Sequence, residues 1–158
     1  MTTLKSLLDK LKQLNLTLAS AESCTGGRVG AAVTAIPGAS DVYQGGVIAY
    51  QNRVKTELLG VKPEDIQHYD VVSRQVAEQM VRGTCKLLKA DLGVATTGYA
   101  GPSTGNPDIP VGTIWIACGS NDEVLTKRLS LQSDRSRNVE IATEEVFKLL
   151  DSFLNDLS

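Results

Sequence analysis

Three short polar, glycine-containing segments hold most of the residues of this 158-residue chain that could do chemistry. In the first, Glu22-Ser23-Cys24-Thr25-Gly26-Gly27, two candidate nucleophiles stand side by side ahead of paired glycines. If Thr25-Gly26-Gly27 opens a helix, its unpaired N–H groups and dipole favour an anion there, either a phosphate or a developing oxyanion. A helix cap with a tight turn accounts for the same residues, and no G-x-x-x-x-G-K-[ST] or G-x-G-x-x-G pattern occurs anywhere in the chain. In the second segment, Gly45 to Lys55, which ends in Tyr50-Gln51-Asn52-Arg53-Val54-Lys55, an N-cap at Asn52 would put Lys55 in the first helical turn, against the dipole. A lysine placed so, above all a desolvated one, is suited to being neutral near pH 7; the ordinary alternative is a solvated surface lysine. The third segment, Thr97-Gly98-Tyr99-Ala100-Gly101-Pro102-Ser103-Thr104-Gly105, has glycines that admit a ligand close to the backbone, although turn-making explains them equally well. Arg135 and Arg137, which follow Asp134, either reach a phosphate or simply begin a solvated helix.

One histidine in the whole chain restricts the chemistry further. Ser-His-Asp triads, Cys-His dyads and most zinc sites need at least one, and only His68, in the polar stretch Gln67-His68-Tyr69-Asp70 read as a loop, could serve. A lysine or tyrosine is then the natural partner for a serine nucleophile. Cys24 is the rival nucleophile, since thiols at helix N-termini are acidified, while a buried, inert cysteine is the commoner situation. Cys24, Cys85 and Cys118 are far apart and form no C-x-x-C pair, which argues against a disulfide framework and a thiolate metal site and fits a reducing cytoplasm.

These segments need a scaffold, and the hydrophobic spacing describes one. Leu4, Leu7, Leu8, Leu11 and Leu14 mark an amphipathic helix over 3–14, ended at Asn15; residues 16–21 read as a buried strand and 28–35 as a helix. Gly46–Tyr50 is a second strand candidate, followed by a short helix to Leu59-Gly60. Ser73 caps a long helix to about Lys89, with Val76, Ala77, Met80, Val81, Thr84, Leu87 and Leu88 on one face. Strands are expected over 92–97 and 111–118, and the turn Gly119-Ser120-Asn121-Asp122 leads into an antiparallel partner over 123–131. A last helix runs from about Asn138 to Leu157. The alternation predicts a single three-layer α/β/α domain with a mixed, mostly parallel sheet, no linker and no internal repeat. In such sheets ligands bind beyond the carboxyl ends of the strands, where the three polar segments fall.

Charge and composition exclude several function classes. The 16 Lys+Arg against 18 Asp+Glu give a formal charge of −2 and leave no basic field for a nucleic-acid backbone or an anionic membrane. The N-terminal MTTLKSLLDKLKQLN is interrupted by charge every few residues and has neither a signal-peptide core nor the roughly 18 apolar residues of a membrane span. A cytoplasmic location is expected.

Five stretches in this order resemble the CinA C-terminal domain family: A-E-S-C-T-G-G (21–27), G-G-V-I-A-Y-Q-N-R-V-K-T-E-L-L-G-V (45–61), V-V-S-R-Q-V-A (71–77), T-G-Y-A-G-P (97–102) and P-V-G-T-I-W-I-A (110–117). The resemblance covers nearly the whole chain. It implies a three-layer α/β/α fold and hydrolysis of the carboxamide of nicotinamide mononucleotide, yielding nicotinic acid mononucleotide and ammonia in pyridine-nucleotide salvage. Carried over by position, Ser23 matches the family's nucleophile, Lys55 its base and Tyr50 an aromatic hydroxyl close to that pair. Thr25, Gly26, Gly27, Gly46, Asn52, Thr97, Gly98, Ala100, Gly101 and Arg135 are the substrate-binding candidates, with Gly26-Gly27 near the oxyanion and Arg135 with the 98–105 loop near the phosphate. No metal and no cofactor are implied, and a homodimer or larger homo-oligomer is the expected assembly. The longer CinA proteins carry an additional N-terminal domain that is expected to be lacking here. Three positions depart from the family pattern: Tyr99 replaces a smaller aliphatic residue, Thr104 replaces one of paired glycines, and Val139 stands where an arginine is frequent. The competing readings are a non-catalytic nucleotide-binding or regulatory module, and an amidase of another small amide.

Overall fold

The computed structural model describes residues 2–157. Among these residues six α-helices and five strands follow in the order α1 (Leu4–Gln13), β1 (Leu18–Glu22), α2 (Arg28–Thr34), β2 (Tyr43–Ile48), α3 (Asn52–Leu59), α4 (Pro63–Tyr69), α5 (Arg74–Leu88), β3 (Leu92–Gly98), β4 (Thr113–Gly119), β5 (Val124–Ser130) and α6 (Arg135–Leu157). The strands form one sheet in the order β2-β1-β3-β4-β5. β1 pairs in parallel with β2 and β3, and β4 is antiparallel to both β3 and β5, so four strands share a direction and β4 runs against them.

Helices cover both faces. On one, α1, α2 and α6 bury Leu7, Leu11, Val29, Val33, Val146 and Leu150 against Leu18, Val94, Ile114 and Ile116 of the sheet. On the other, α5 lays Val76, Ala77, Met80 and Val81 over Ala21, Ala95 and Ala117. The second face is built from small residues, and this allows α5 to sit close. A side chain on Gly93 would collide with Thr84 and Cys85, and one on Gly83 with the Leu59 backbone of α3. Alternation of large residues towards one helix layer and alanine towards the other follows from the period-2 geometry of a strand buried on both faces.

The connections decide where a site can form. After β1 the chain crosses to α2 on the first face, and after the neighbouring β2 it crosses to α3 on the second. Loops that leave adjacent parallel strands in opposite directions open a crevice at their carboxyl ends. Ser23 follows β1 and Lys55 lies one turn into α3, so this divergence brings the two segments together.

Several local expectations need correction. β2 spans Tyr43–Ile48 rather than 46–50, because the edge strand alternates between half-buried and exposed positions instead of presenting a continuous apolar run. The N-cap of α3 is Gln51, without a side-chain bond, and Asn52 is the first helical residue. His68 lies in the last turn of α4, a helix opened by Pro63 that buries no residue and so carries no apolar period to read. Leu87 is exposed, and Val111 precedes β4 rather than belonging to it. Ser73 does cap α5, its hydroxyl accepting from the Val76 N–H, and α6 starts at Arg135 with Asp134 accepting from the Arg137 N–H.

Candidate active site

The turn after β1 is organised by Glu22, a fully enclosed carboxylate at the end of the strand. Its oxygens accept from the N–H groups of Gly27, Val29 and Gly30 and from Thr25 Oγ1, at 2.7–3.1 Å. The start of α2 thus holds an anion already, and that anion is part of the protein. Gly26 N–H is also committed, to Ser23 O at 3.1 Å. Thr25, Gly26 and Gly27 therefore shape the turn and do not line the cleft, contrary to the sequence expectation of a phosphate or oxyanion cradle. Glu22 was legible as a residue of the first segment but its role was not, since only the fold shows that its carboxylate turns back onto the helix that follows. Replacing Glu22 by Ala would orphan three N–H groups at once, that of Val29 buried and those of Gly27 and Gly30 partly so. Chemical denaturation should show a loss of about 2–4 kcal/mol, given roughly 1–3 kcal/mol for each unsatisfied buried group and partial access of water.

Held by this turn, Ser23 points its hydroxyl across to α3. Its own N–H is bound to Thr96 O at 3.1 Å. Cys24, the neighbouring thiol, turns instead into the apolar layer of Val29 and Val33, and burial pushes its pKa up to about 12. A thiol in that environment stays protonated, so the acidification expected for a cysteine before a helix does not occur.

Lys55 is 1% exposed, the largest fully buried side chain in the protein. Nζ lies 2.9 Å from Ser23 Oγ, 2.7 Å from Ala49 O and 3.2 Å from Tyr50 O. Desolvation lowers its pKa from 10.5 to about 8. The ordinary alternative of a solvated surface lysine is therefore excluded, and burial, which the sequence reading named beside the helix dipole, is the cause of the depression. The three neighbours also make the neutral amine a defined species. Carbonyls can only accept, so Ala49 and Tyr50 take the two N–H groups of –NH₂, and the lone pair is left facing the Ser23 O–H.

The cleft around this pair holds about 290 Å³, towards the lower end of small-molecule sites. Asn52, Thr97, Gly98, Ala100 and Arg135 line it with Ser23 and Lys55, as the third segment and the last helix were expected to. Cys24, Tyr50 and, from the expected 98–105 loop, Tyr99, Ser103 and Gly105 complete the wall with Val71 and Val72, which were missed although the V-V-S-R stretch was an available signal. Gly46 is not in the cleft. It sits mid-strand in β2 opposite Ser20, whose hydroxyl a side chain there would strike. Gly101 contributes its carbonyl to Arg135 Nη1 at 2.7 Å rather than a surface to the cleft. The Tyr50 ring is 55% exposed and its hydroxyl accepts from Arg135 Nη2 at 3.2 Å, so what Tyr50 brings to Lys55 is its main-chain carbonyl. Arg137 faces outward and pairs with Glu140, and His68 is exposed on α4 away from Ser23.

A family model for the CinA C-terminal domain matches residues 2–154. A CinA-like protein of Thermotoga neapolitana is 44% identical over 144 residues, covering 89% of this chain and 35% of that protein. One of Amoebophilus asiaticus is 41% identical over 140 residues, covering 89% and 34%. The chain thus spans about a third of the length of these relatives. Among solved structures, a competence-damaged protein (CinA) superfamily protein from Klebsiella pneumoniae superposes with a TM-score of 0.91 at 29% identity, over 98% of this chain and 99% of that one. The competence/damage inducible protein CihA from Agrobacterium tumefaciens gives 0.87 at 32% identity, over 98% and 99%. With its fold and nearly all its residues matched in this way, the chain belongs to the CinA C-terminal domain family.

Proposed function

We propose that this protein is an amidase that hydrolyses the carboxamide of nicotinamide mononucleotide to nicotinic acid mononucleotide and ammonia, with Ser23 as nucleophile and Lys55 as general base. The observation that carries the reading is the buried Lys55 Nζ, 2.9 Å from Ser23 Oγ and held there by two carbonyls. In the first half-reaction Oγ attacks the amide carbon while its proton passes to Nζ. The tetrahedral intermediate collapses as Nζ returns that proton to the departing nitrogen, releasing ammonia and leaving an ester on Ser23. Water, deprotonated by the now neutral amine, then attacks the ester, and the proton goes back to Oγ as the acid leaves. Since Gly26 and Gly27 are occupied, the oxyanion falls to the N–H of Cys24, a cleft-lining residue whose N–H has no main-chain partner among the described residues.

Recognition of the nucleotide is assigned to Arg135. Its guanidinium reaches Gly101 O and the Tyr50 hydroxyl, both uncharged, so its charge at the cleft rim is not cancelled by a carboxylate among the described residues. A charge-assisted phosphate contact is worth roughly 1.5–3 kcal/mol, about one to two factors of ten in binding. Ammonia release from nicotinamide mononucleotide should accordingly exceed that from nicotinamide riboside in kcat/KM by about 10–100-fold, and Arg135→Ala should erase most of that preference. Equal turnover of nucleotide and riboside would favour an amidase of a different substrate. No ammonia from either compound would leave the non-catalytic reading.

A further inference from the structure

The cleft is roofed by the segment from Tyr99 to Gly112, which joins β3 to β4 and is closed at its base by two main-chain bonds, Tyr99 N–H to Thr113 O and Gly112 N–H to Tyr99 O. Two sets of side chains tie it down. Ala100 and Gly101 are held by α6, through the buried Asn138 side chain on Ala100 O and Arg135 on Gly101 O. Tyr99, at the start of the loop, and Asn106, at its middle, are held together by one side chain from outside the loop, Asp70, at the junction of α4 and α5. One Asp70 carboxylate oxygen accepts from the Tyr99 hydroxyl at 2.7 Å and from the Val72 N–H at 2.9 Å, and the other accepts from Asn106 Nδ2 at 3.2 Å. Burial, with this carboxylate beside it, pushes the Tyr99 phenol up and keeps it a donor.

The backbone at Asp70 makes this arrangement informative. Its φ of 77° and ψ of 156° fall in a region that glycine occupies freely and other residues only under strain. On backbone grounds alone this position calls for glycine. An aspartate there is held against the preference of its own main chain, and among the described residues its side chain binds Tyr99, Asn106 and Val72. Two of those contacts fix the wall of the cleft: Tyr99 lines it, and its ring is packed so closely on Gly105 that a side chain at 105 would stand 3.1 Å from it.

We propose that Asp70 is a positioning residue that latches the start of this loop, Tyr99, to its middle, Asn106, and that the latched Tyr99 wall limits the size of the group the Ser23–Lys55 cleft accepts. The inference rests on the reading of Ser23 as a nucleophile, and its test does not depend on which amide is the natural substrate. Two fluorophosphonates, one carrying a small alkyl group and one a bulky aryl group, are reacted with the full-length protein and its Asp70→Gly and Tyr99→Phe variants. Hydrogen exchange of the loop amides and the melting temperature are measured alongside.

Asp70→Gly relieves the backbone while removing the latch. Its melting temperature should hold or rise, exchange at Tyr99 and Gly112 should quicken by tenfold or more, and the bulky-to-small labelling ratio should rise by at least tenfold. Tyr99→Phe keeps the ring and loses only the hydroxyl, so it should show the faster exchange with a smaller rise in the ratio. A lower melting temperature in Asp70→Gly, or loop exchange and labelling ratio unchanged in both variants, would overturn the proposal. Should Asp70→Gly fail to fold, Tyr99→Phe decides alone, its unchanged ratio and exchange counting against the latch. Absence of labelling at Ser23 by either probe in the unaltered protein would instead remove the nucleophile reading, while the exchange data would still report whether Asp70 holds the loop.

Discussion

Ser23→Ala should lower ammonia release from nicotinamide mononucleotide by about 10³–10⁶-fold, the range in which loss of a nucleophile falls. The residual rate would come from binding and the oxyanion donor alone. The neighbouring Cys24 supplies the control. Its thiol borders the same cleft, but burial pushes its pKa up to about 12 and keeps it protonated. Cys24→Ala should therefore keep most of the activity and cost only the small cavity left by a sulfur. Inactivation by iodoacetamide that vanishes in Cys24→Ala, together with an active Ser23→Ala variant, would transfer the nucleophile's role to the thiol.

The second large effect concerns Lys55 and pH. At a pKa of 10.5 only about 3 lysines in 10,000 are neutral at pH 7, whereas at about 8 the share is about 9 in 100. Burial alone thus raises the supply of the base by roughly 300-fold. Free-enzyme kcat/KM should climb tenfold per pH unit below about 8 and level off above it. Lys55→Arg retains a cation that cannot give up its proton, so activity should fall by about 10²–10⁴-fold and the pH rise should disappear. Near-normal turnover by that variant would make Lys55 a binding residue. The same burial has a consequence for stability with a defined sign. Between about 8 and 10.5 the unfolded chain binds the lysine proton and the folded one does not, so this residue's contribution rises with pH across that window. Below it, the charged amine is held in the interior at a cost that its three oxygen neighbours only partly offset.

The elements around the site differ in how far they could be read. α1, α5, α6 and the β4–β5 hairpin carry long apolar periods or a strong turn, and the structure places them within a few residues of expectation. α4 buries nothing and was read as loop; β2 is an edge strand whose exposed positions break the apolar run, and its limits were misplaced. Both failures have one cause: periodicity reports burial, so elements with little of it leave little trace.

For the site, residue type and order along the chain offered Ser23, Lys55, Arg135 and the 97–105 loop beside equally ordinary structural readings, and the resemblance to the CinA C-terminal domain family is what set them, with Asn52, apart. Only the tertiary structure decided what each one faces. Lys55 is neutral-prone because burial strips water from its amine, against the pull of the Ala49 and Tyr50 carbonyls, a fact that lies in packing and not in spacing. The glycines at 26 and 27 read as an anion cradle until Glu22, five residues or fewer away, is seen to fill it. Asp70 gave no signal at all, since a lone aspartate before a helix is ordinary, and its strained backbone and its hold on Tyr99 exist only once α4, α5 and the β3–β4 loop are packed together. A sequence specifies which groups are present and how they are patterned; desolvation and hydrogen-bond partnership are properties of pairs brought together across the fold, and those had to be seen in three dimensions.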